Sequence, residues 1–202
     1  MIIFLNGTSS AGKTSTAKKI QELYPNPMLH MGIDHFFFSV DPRYMGDGQE
    51  AHLGYQFVRT DDAMGTKIEV KKGAFGNLLS QSLHRALRVI VDHQIPLIID
   101  DLLFVEDDFK DYLKLFEDRD VYFIALKPSK EALEQREIQR GDRGVGLARG
   151  LYDAVYENKI FDLVVDSSHL TPEESAQMIL DYIQANPQPT AFQKNINEII
   201  KG

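Results

Sequence analysis

Apolar residues in this chain fall into five short runs separated by longer segments with helical spacing. Ile2–Asn6, Leu97–Asp101 and Val121–Leu126 are nearly unbroken apolar stretches, 163–166 is a shorter one, and 28–33 is the weakest. Runs of this length without polar alternation predict strands buried on both faces. Between them, apolar positions recur every three or four residues, which predicts helices over 13–23, 75–93, 109–117, 129–140, 146–158 and 172–186. Ser129 and Thr171 are placed as helix N-caps, and Pro172 with Glu173 and Glu174 suits a first helical turn. Strands alternating with helices predict an α/β fold, a parallel sheet with helices on both faces.

Residues 39–74 break this alternation. They are rich in Gly, Asp and aromatic residues, and 55–60 can pair with 66–70 as a hairpin. An insertion at the C-terminal end of a strand belongs on the ligand side of an open α/β sheet. Residues 187–202 contain Pro187 and Pro189 and read as a loosely packed tail with a short terminal helix. The predicted organisation is therefore one domain over 1–186, with 39–74 as a substrate-side insertion and 136–150 as a lid, followed by the tail.

The junction between the first strand and the first helix carries the strongest chemical signal. Gly7, Thr8, Ser9, Ser10, Ala11, Gly12, Lys13 and Thr14 form a complete phosphate-binding loop, with Ser15 following in the helix. Backbone N–H groups of such a loop cradle a polyphosphate, the lysine reaches the outer phosphates, and the hydroxyl of Thr14 suits Mg²⁺. An ordinary glycine turn capping a helix would leave Lys13 unexplained. The motif in this setting predicts a P-loop protein that binds a nucleoside triphosphate.

Four acids end strands and need separate readings. Asp34, after Met31-Gly32-Ile33, is expected to point into the crevice above the sheet, where a carboxylate can accept the proton of an attacking hydroxyl. The alternative is that it caps the next turn. Asp100 and Asp101 close the Leu97–Asp101 strand, where P-loop proteins hold Mg²⁺ or its water, and Asp100 is preferred because it directly ends the apolar run. Asp166 reads as a loop-fixing residue. Arg136 and Arg140 share one helix face, and Arg143 follows between Gly141 and Gly144. Phosphoryl transfer depends on neutralising charge, so arginines closing over the transferred group are expected catalysts. Cations that complement a helix C-terminus explain the same residues without chemistry. The pair Asp34–His35 is not expected to act as a dyad, and His30, His52, His84, His93 and His169 show no metal-ligand spacing. Phe36, Phe37, Phe38, Tyr44, Tyr55 and Phe57 read either as core or as the lining of an acceptor pocket.

Composition narrows the function classes. The 202 residues suffice for one α/β domain with a sizeable core. The formal net charge of −8 argues against a nucleic-acid partner. Residues 127–149 hold six Lys and Arg against four Asp and Glu, a local +2 that leaves −10 for the rest of the chain. A phosphate-covering lid accounts for that excess, and so does a solvated charged helix. Cysteine is absent, so disulfides and thiolate sites are excluded. No apolar stretch is long enough to span a membrane, and a strand from residue 2 leaves no signal-peptide layout, so the expected location is cytoplasmic.

The segments 4–14, 32–34, 98–101, 136–143 and 161–169 together resemble the chloramphenicol phosphotransferase-like family of P-loop kinases, over about residues 1–182. The resemblance implies a five-stranded nucleotide-kinase-like core, ATP and Mg²⁺ as cofactors, and transfer of the γ-phosphate to a hydroxyl of a small molecule. It places the family's base on Asp34 and its lid arginines on Arg136, Arg140 and Arg143, the first stacking on adenine. Ser167, Ser168 and His169 would then lie near the nucleotide base. Lys13, Asp34, Arg140 and Arg143 are the expected catalytic residues, Arg136 and Ser168 join the loop in nucleotide binding, and Thr14 with Asp100 supports the metal. The chain departs from the family pattern in 39–74, the part that selects the acceptor, so chloramphenicol itself is not implied. A nucleoside or other metabolite kinase of the same fold, or a non-catalytic nucleotide switch, are the rival readings.

Overall fold

The structure is a computed structural model that describes residues 1–63, 65–141 and 145–201, the side chain of Arg140 excepted. Five parallel strands form the central sheet: β1 (Ile2–Asn6), β2 (Leu29–Gly32), β6 (Leu97–Asp101), β7 (Val121–Leu126) and β8 (Leu163–Val165), in the order β2-β6-β1-β7-β8. A smaller sheet contains β3 (Met45–Gly46), β4 (Tyr55–Asp62) and β5 (Gly65–Lys72). The helices are α1 (Lys13–Leu23), α2 (Ile33–Phe37), α3 (Ala74–Asp92), α4 (Glu106–Leu115), α5 (Lys130–Arg140), α6 (Leu147–Tyr156), α7 (Pro172–Ala185) and α8 (Ala191–Asn195), the last continuing as a short π-helical turn to Ile200.

Alternation along the buried strands divides the core into two layers. Ile2, Phe4, Leu97, Ile99, Val121 and Phe123 face one side, where α3, α4 and α8 supply Leu83, Leu87, Phe109, Tyr112 and Phe192. Ile3, Leu5, Ile98, Tyr122 and Ile124 face the other, against Ala17 and Ile20 of α1 and Ala176 and Ile179 of α7. The period of two along each strand puts successive side chains on opposite faces. This accounts for the unbroken apolar runs of the sequence. Thr171 caps α7 as expected, accepting from Glu174 N at 3.1 Å while the Glu174 carboxylate accepts from Thr171 N at 2.8 Å. Among the described residues no helix is long and apolar enough to cross a membrane.

Three boundaries differ from the sequence expectations. The second strand stops at Gly32, and Asp34 lies in the first turn of α2 rather than at a strand end. Helix α4 begins at Glu106, not at residue 109, because Glu106, Asp107 and Asp108 occupy its positive first turn. The tail is packed rather than loose: Phe192 is 2% exposed and meets Phe123 edge-to-face at 6.0 Å. Asp162 fixes its entry, accepting from Thr190 N and Ala191 N at 2.8 and 2.9 Å while its second oxygen accepts from Phe123 N. The prolines of 187–189 form the connection, and the apolar face of Ala191, Phe192 and Ile196 supplies the burial.

The insertion folds as the predicted hairpin and is longer than expected, pairing Tyr55 with Lys72 through Asp62 with Gly65. It is clamped to α6. A Cβ at Gly150 would lie 1.8 Å from Ile68 O, so only glycine lets the helix backbone approach the strand this closely. Ile68 N donates to Gly146 O at 3.0 Å on the same seam.

Truncating a fully buried aromatic side chain removes its transfer energy and leaves a cavity. Phe192→Ala should therefore destabilise the fold by about 3–5 kcal/mol in urea denaturation. A loose tail would leave the midpoint unchanged.

Candidate active site

The loop after β1 wraps around the start of α1. Gly12 adopts φ 94°, the left-handed region that favours glycine, and Ser10 shares that region at φ 59°. Behind the loop, Thr8 Oγ1 donates to Ala148 O at 3.0 Å and Thr8 N to the Tyr156 hydroxyl at 3.2 Å. Tyr156 in turn donates to Leu126 O at 2.5 Å. Asn6, at the end of β1, donates to Val155 O and accepts from Leu103 N. Through Thr8 these bonds staple the back of the loop to α6, and Gly7 packs against Leu126 O, which a Cβ would approach to 2.8 Å. Ser9, Ser10, Ala11, Gly12, Lys13, Thr14 and Ser15 line a cleft of about 680 Å³ in front.

Asp100 sits on the floor of that cleft because β1 and β6 pair in register, Leu5 beside Asp100. Thr14 Oγ1 donates to Asp100 Oδ2 at 2.7 Å, His30 Nε2 lies 3.3 Å from the same oxygen, and Lys13 Nζ is 3.7 Å from Oδ1. Lys13 also donates to Thr8 O at 3.1 Å. Burial pushes the Asp100 carboxyl up, but Lys13, then His30 and Thr14, outweigh it and hold the group below its ordinary value. Asp101, one residue on, points the other way. It accepts from the Tyr112 hydroxyl at 2.7 Å and from Leu102 N at 2.7 Å. Burial raises its carboxyl to about 6, with His84 and Tyr112 opposing the shift. Adjacent residues of one strand thus hold carboxyls displaced in opposite directions, and it is Asp100 that faces the loop.

The cleft suits a polyphosphate chemically. The hydroxyls of Ser9 and Ser10 are buried and have no hydrogen-bond partner among the described residues. Unsatisfied buried hydroxyls are costly unless a ligand meets them, and phosphate oxygens are acceptors of the needed kind. Thr14 and Asp100 bring a hydroxyl and a carboxylate together on the cleft wall, oxygen donors of the kind Mg²⁺ takes. No cluster of three His, Asp or Glu that could hold a metal occurs among the described residues. Mg²⁺ bound through one or two protein oxygens plus phosphates needs no such cluster.

Arg136 lines the cleft and is tied down at its rim. It donates to Ser10 O at 3.4 Å, Ser167 O at 2.5 Å and Ser168 O at 3.3 Å, bracing the loop against the chain after β8. Ser167, rather than Ser168, lines the cleft, and its hydroxyl donates to Ala11 O at 3.0 Å. The Ser168 side chain turns away, donating to Asp166 and accepting from Ser129 N at 2.8 Å. Arg143 and the side chain of Arg140 lie outside the described residues. Glu137, 2% exposed, accepts from Gly146 N at 2.9 Å and Ala148 N at 2.6 Å, so α5 caps the start of α6.

A second cavity of about 500 Å³ opens beside the first, lined by Phe37, Tyr55, Phe57, Phe104, Leu147 and Leu151 among others. Ile33, Asp34, Phe38 and Leu102 line both cavities, so Asp34 stands where the two meet. The aromatic residues of α2 and of the insertion divide accordingly. Phe37, Phe38, Tyr55 and Phe57 line this cavity, while Phe36 packs on the core and Tyr44 meets Phe75 at 5.4 Å. Sequence reasoning missed His30, whose contact with Asp100 arises only because β2 lies beside β6. It also missed Lys72, Ser80 and Asp108 beneath the second cavity, since nothing in the local sequence joins residues so far apart.

The parallel sheet, the P-loop and the covering helices define a kinase-type phosphotransferase fold. The chain belongs to the family described as chloramphenicol phosphotransferase-like protein, whose model matches residues 1–184. It is 32% identical over 194 residues to the Mycobacterium tuberculosis protein named "Putative O-phosphotransferase Rv2636", covering 96% of this chain and 86% of that one. In structure it resembles the Mycobacterium tuberculosis APS kinase CysC in complex with AMPPNP and APS, with a TM-score of 0.62 and 14% identity over 91% of this chain and 96% of the other. Shikimate kinase from Aquifex aeolicus aligns with a TM-score of 0.56 and 14% identity over 93% and 98% of the two chains. The Deinococcus radiodurans tunicamycin resistance protein gives 0.56 and 16% over 91% and 95%.

The raised carboxyl of Asp101 makes stability depend on pH. Its folded value of about 6 exceeds the ordinary 3.8, so between these values the folded protein keeps a proton that the unfolded chain has released. Stability therefore falls as pH rises through that window. Asp101→Asn lacks the titration, and relative to the unsubstituted protein it should gain on the order of 3 kcal/mol between about pH 4 and pH 7. Urea midpoints of both proteins across this range check the sign. Parallel curves would contradict it.

Proposed function

We propose that this protein transfers the γ-phosphoryl group of ATP to a hydroxyl of a small molecule. The observation that carries the reading is the meeting of the two cavities at Asp34, a phosphate-suited cleft on one side and an aromatic-walled one on the other. In this reading the triphosphate lies along 7–15, with Lys13 neutralising its outer charge. Thr14 and Asp100 would hold Mg²⁺, which supplies charge neutralisation on the phosphate oxygens when bound. Arg136 keeps the loop braced from the rim, and Arg140 and Arg143 are the proposed closing cations. The location of Ser168 supports a role in shaping the 167–169 segment through Ser129, with Ser167 nearer the nucleotide.

The acceptor alcohol occupies the second cavity with its oxygen toward Asp34. A bond forms between that oxygen and the γ-phosphorus while the bond from phosphorus to the β–γ bridging oxygen breaks, and ADP departs. The hydroxyl proton passes to the Asp34 carboxylate, which also aligns the attacking oxygen. Burying the reacting groups between the two cavities limits water, which would otherwise compete as acceptor. Dependence on ATP makes the cytoplasm the proposed location.

Acceptor-stimulated ADP release over a panel of hydroxyl compounds tests this directly. Asp34→Asn should lower kcat by about 10²–10⁴-fold while Mg²⁺-ATP binding is retained, because the carboxylate acts on the reacting hydroxyl. Loss of ATP binding in that variant would make Asp34 a structural or metal-supporting residue. Lys13→Ala removes a charge aimed at the transferred group, so turnover should fall about a hundredfold or more. Unchanged phosphoryl transfer in Lys13→Ala would overturn the reading.

A further inference from the structure

The aromatic-walled cavity has a polar end that the phosphoryl-transfer reading does not use. Lys72 of β5 and Asp108 of α4 form an ion pair there, with side chains 4% and 15% exposed. Lys72 Nζ lies 2.6 Å from each oxygen of Asp108 and 2.8 Å from Ser80 Oγ. Those three partners account for the three ammonium protons. Tyr55 donates to Gly76 O at 3.0 Å, so the 2.8 Å contact between Tyr55 and Ser80 is donated by Ser80. The Tyr112 proton is committed to Asp101. Donors at this end of the cavity are therefore all used within the protein.

What remains on the wall is accepting capacity. Asp108 lines the cavity, and each of its carboxylate oxygens has a lone-pair site beyond the one facing Lys72. The charged side chains lining the cavity are Asp34, Asp101 and Asp108, with no cation among the described lining residues. Around them stand the aromatic faces of Phe37, Tyr55 and Phe57. A buried ion pair costs desolvation, and a well-packed apolar pair of the same volume is often as stable. Its place at the end of an aromatic-walled cavity is thus better explained by recognition than by stability.

Resting on the phosphoryl-transfer reading for the identity of the cavity, we infer that the acceptor is an amphipathic alcohol carrying a basic nitrogen. Its hydroxyl lies at Asp34, its apolar frame against Phe37, Phe57 and Leu151, and its ammonium donates to Asp108. A charge-assisted N–H···O bond is the strong form of this contact, and the aromatic walls tolerate a cation. An alcohol carrying a carboxylate meets the Asp108 carboxylate at the same end, with the Lys72 ammonium already committed to Asp108 and Ser80, so it is rejected.

Three alcohols on one frame isolate the claim: para-aminomethyl, para-methyl and para-carboxy benzyl alcohol, with their biphenyl homologues. Binding is measured by calorimetry in the presence of Mg²⁺ and a non-hydrolysable ATP analogue, and ADP release is followed separately with ATP. The amine should bind roughly tenfold or more tightly than the methyl compound, and the carboxylate least well. Asp108→Asn should erase the preference for the amine. Because that change leaves Lys72 unpaired, the double variant Lys72→Met, Asp108→Asn provides a second, uncharged wall, and it should bind the methyl compound best. Equal or tighter binding of the carboxylate overturns the inference. So does a preference for the amine that survives in both variants, or no binding by any amine-bearing member at millimolar concentration. Preferential binding of the amine without stimulated ADP release would instead retain the recognition and overturn the phosphoryl-transfer reading. Turnover of the carboxylate in preference to the amine would do the reverse.

Discussion

A buried carboxylate at the end of β6 is the point on which the site depends. Asp100 is held charged by three groups from two different elements: Lys13 and Thr14 at the start of α1, and His30 on β2. Uncompensated, a carboxylate this deeply buried would be costly, and its neutralisation is what burial alone favours. The compensation exists only when β2, β6 and β1 lie side by side in register, so sheet pairing and site assembly are one event. The P-loop is held from behind by α6 through Thr8, Asn6 and Tyr156, which leaves its front to a ligand.

The same helix ties the nucleotide side to the acceptor side. Leu147 and Leu151 of α6 line the aromatic cavity, Gly146 and Gly150 lie against β5, and Glu137 of α5 caps the helix start. An element that supports the phosphate loop therefore also forms a wall of the neighbouring cavity. Placement of Asp34 in a first helical turn rather than on an extended strand adds to this, because its side chain borders both spaces.

Much of this was legible in the sequence, and for identifiable reasons. Strands buried on both faces leave unbroken apolar runs, so β1, β6 and β7 were readable without any partner information, whereas the partly exposed edge strands β2 and β8 left a weak and a short run. The phosphate-binding loop is local in sequence, and so were its residues. Asp100 was preferred over Asp101 because it ends the apolar run, and the opposite directions of the two side chains follow from strand pleating. The turn of α2 was not legible, since five residues carry no helical period. The first turn of α4 was missed because three consecutive acids read as loop until a helix dipole is known to begin there. The tail was misjudged from its prolines, whose effect ends before Ala191. Lys72, Ser80 and Asp108 converge only through tertiary structure, and no spacing rule reaches across β5, α3 and α4.

The central claim is that amides and side chains between β1 and α1, completed by Asp100, bind the anionic tail of a nucleoside triphosphate. Isothermal titration of ATP into the folded protein with Mg²⁺ present tests it most directly. The account predicts saturable binding of one nucleotide per chain, weakened when Mg²⁺ is removed. A titration with neither ATP nor GTP giving heat of binding to well-folded protein would contradict it.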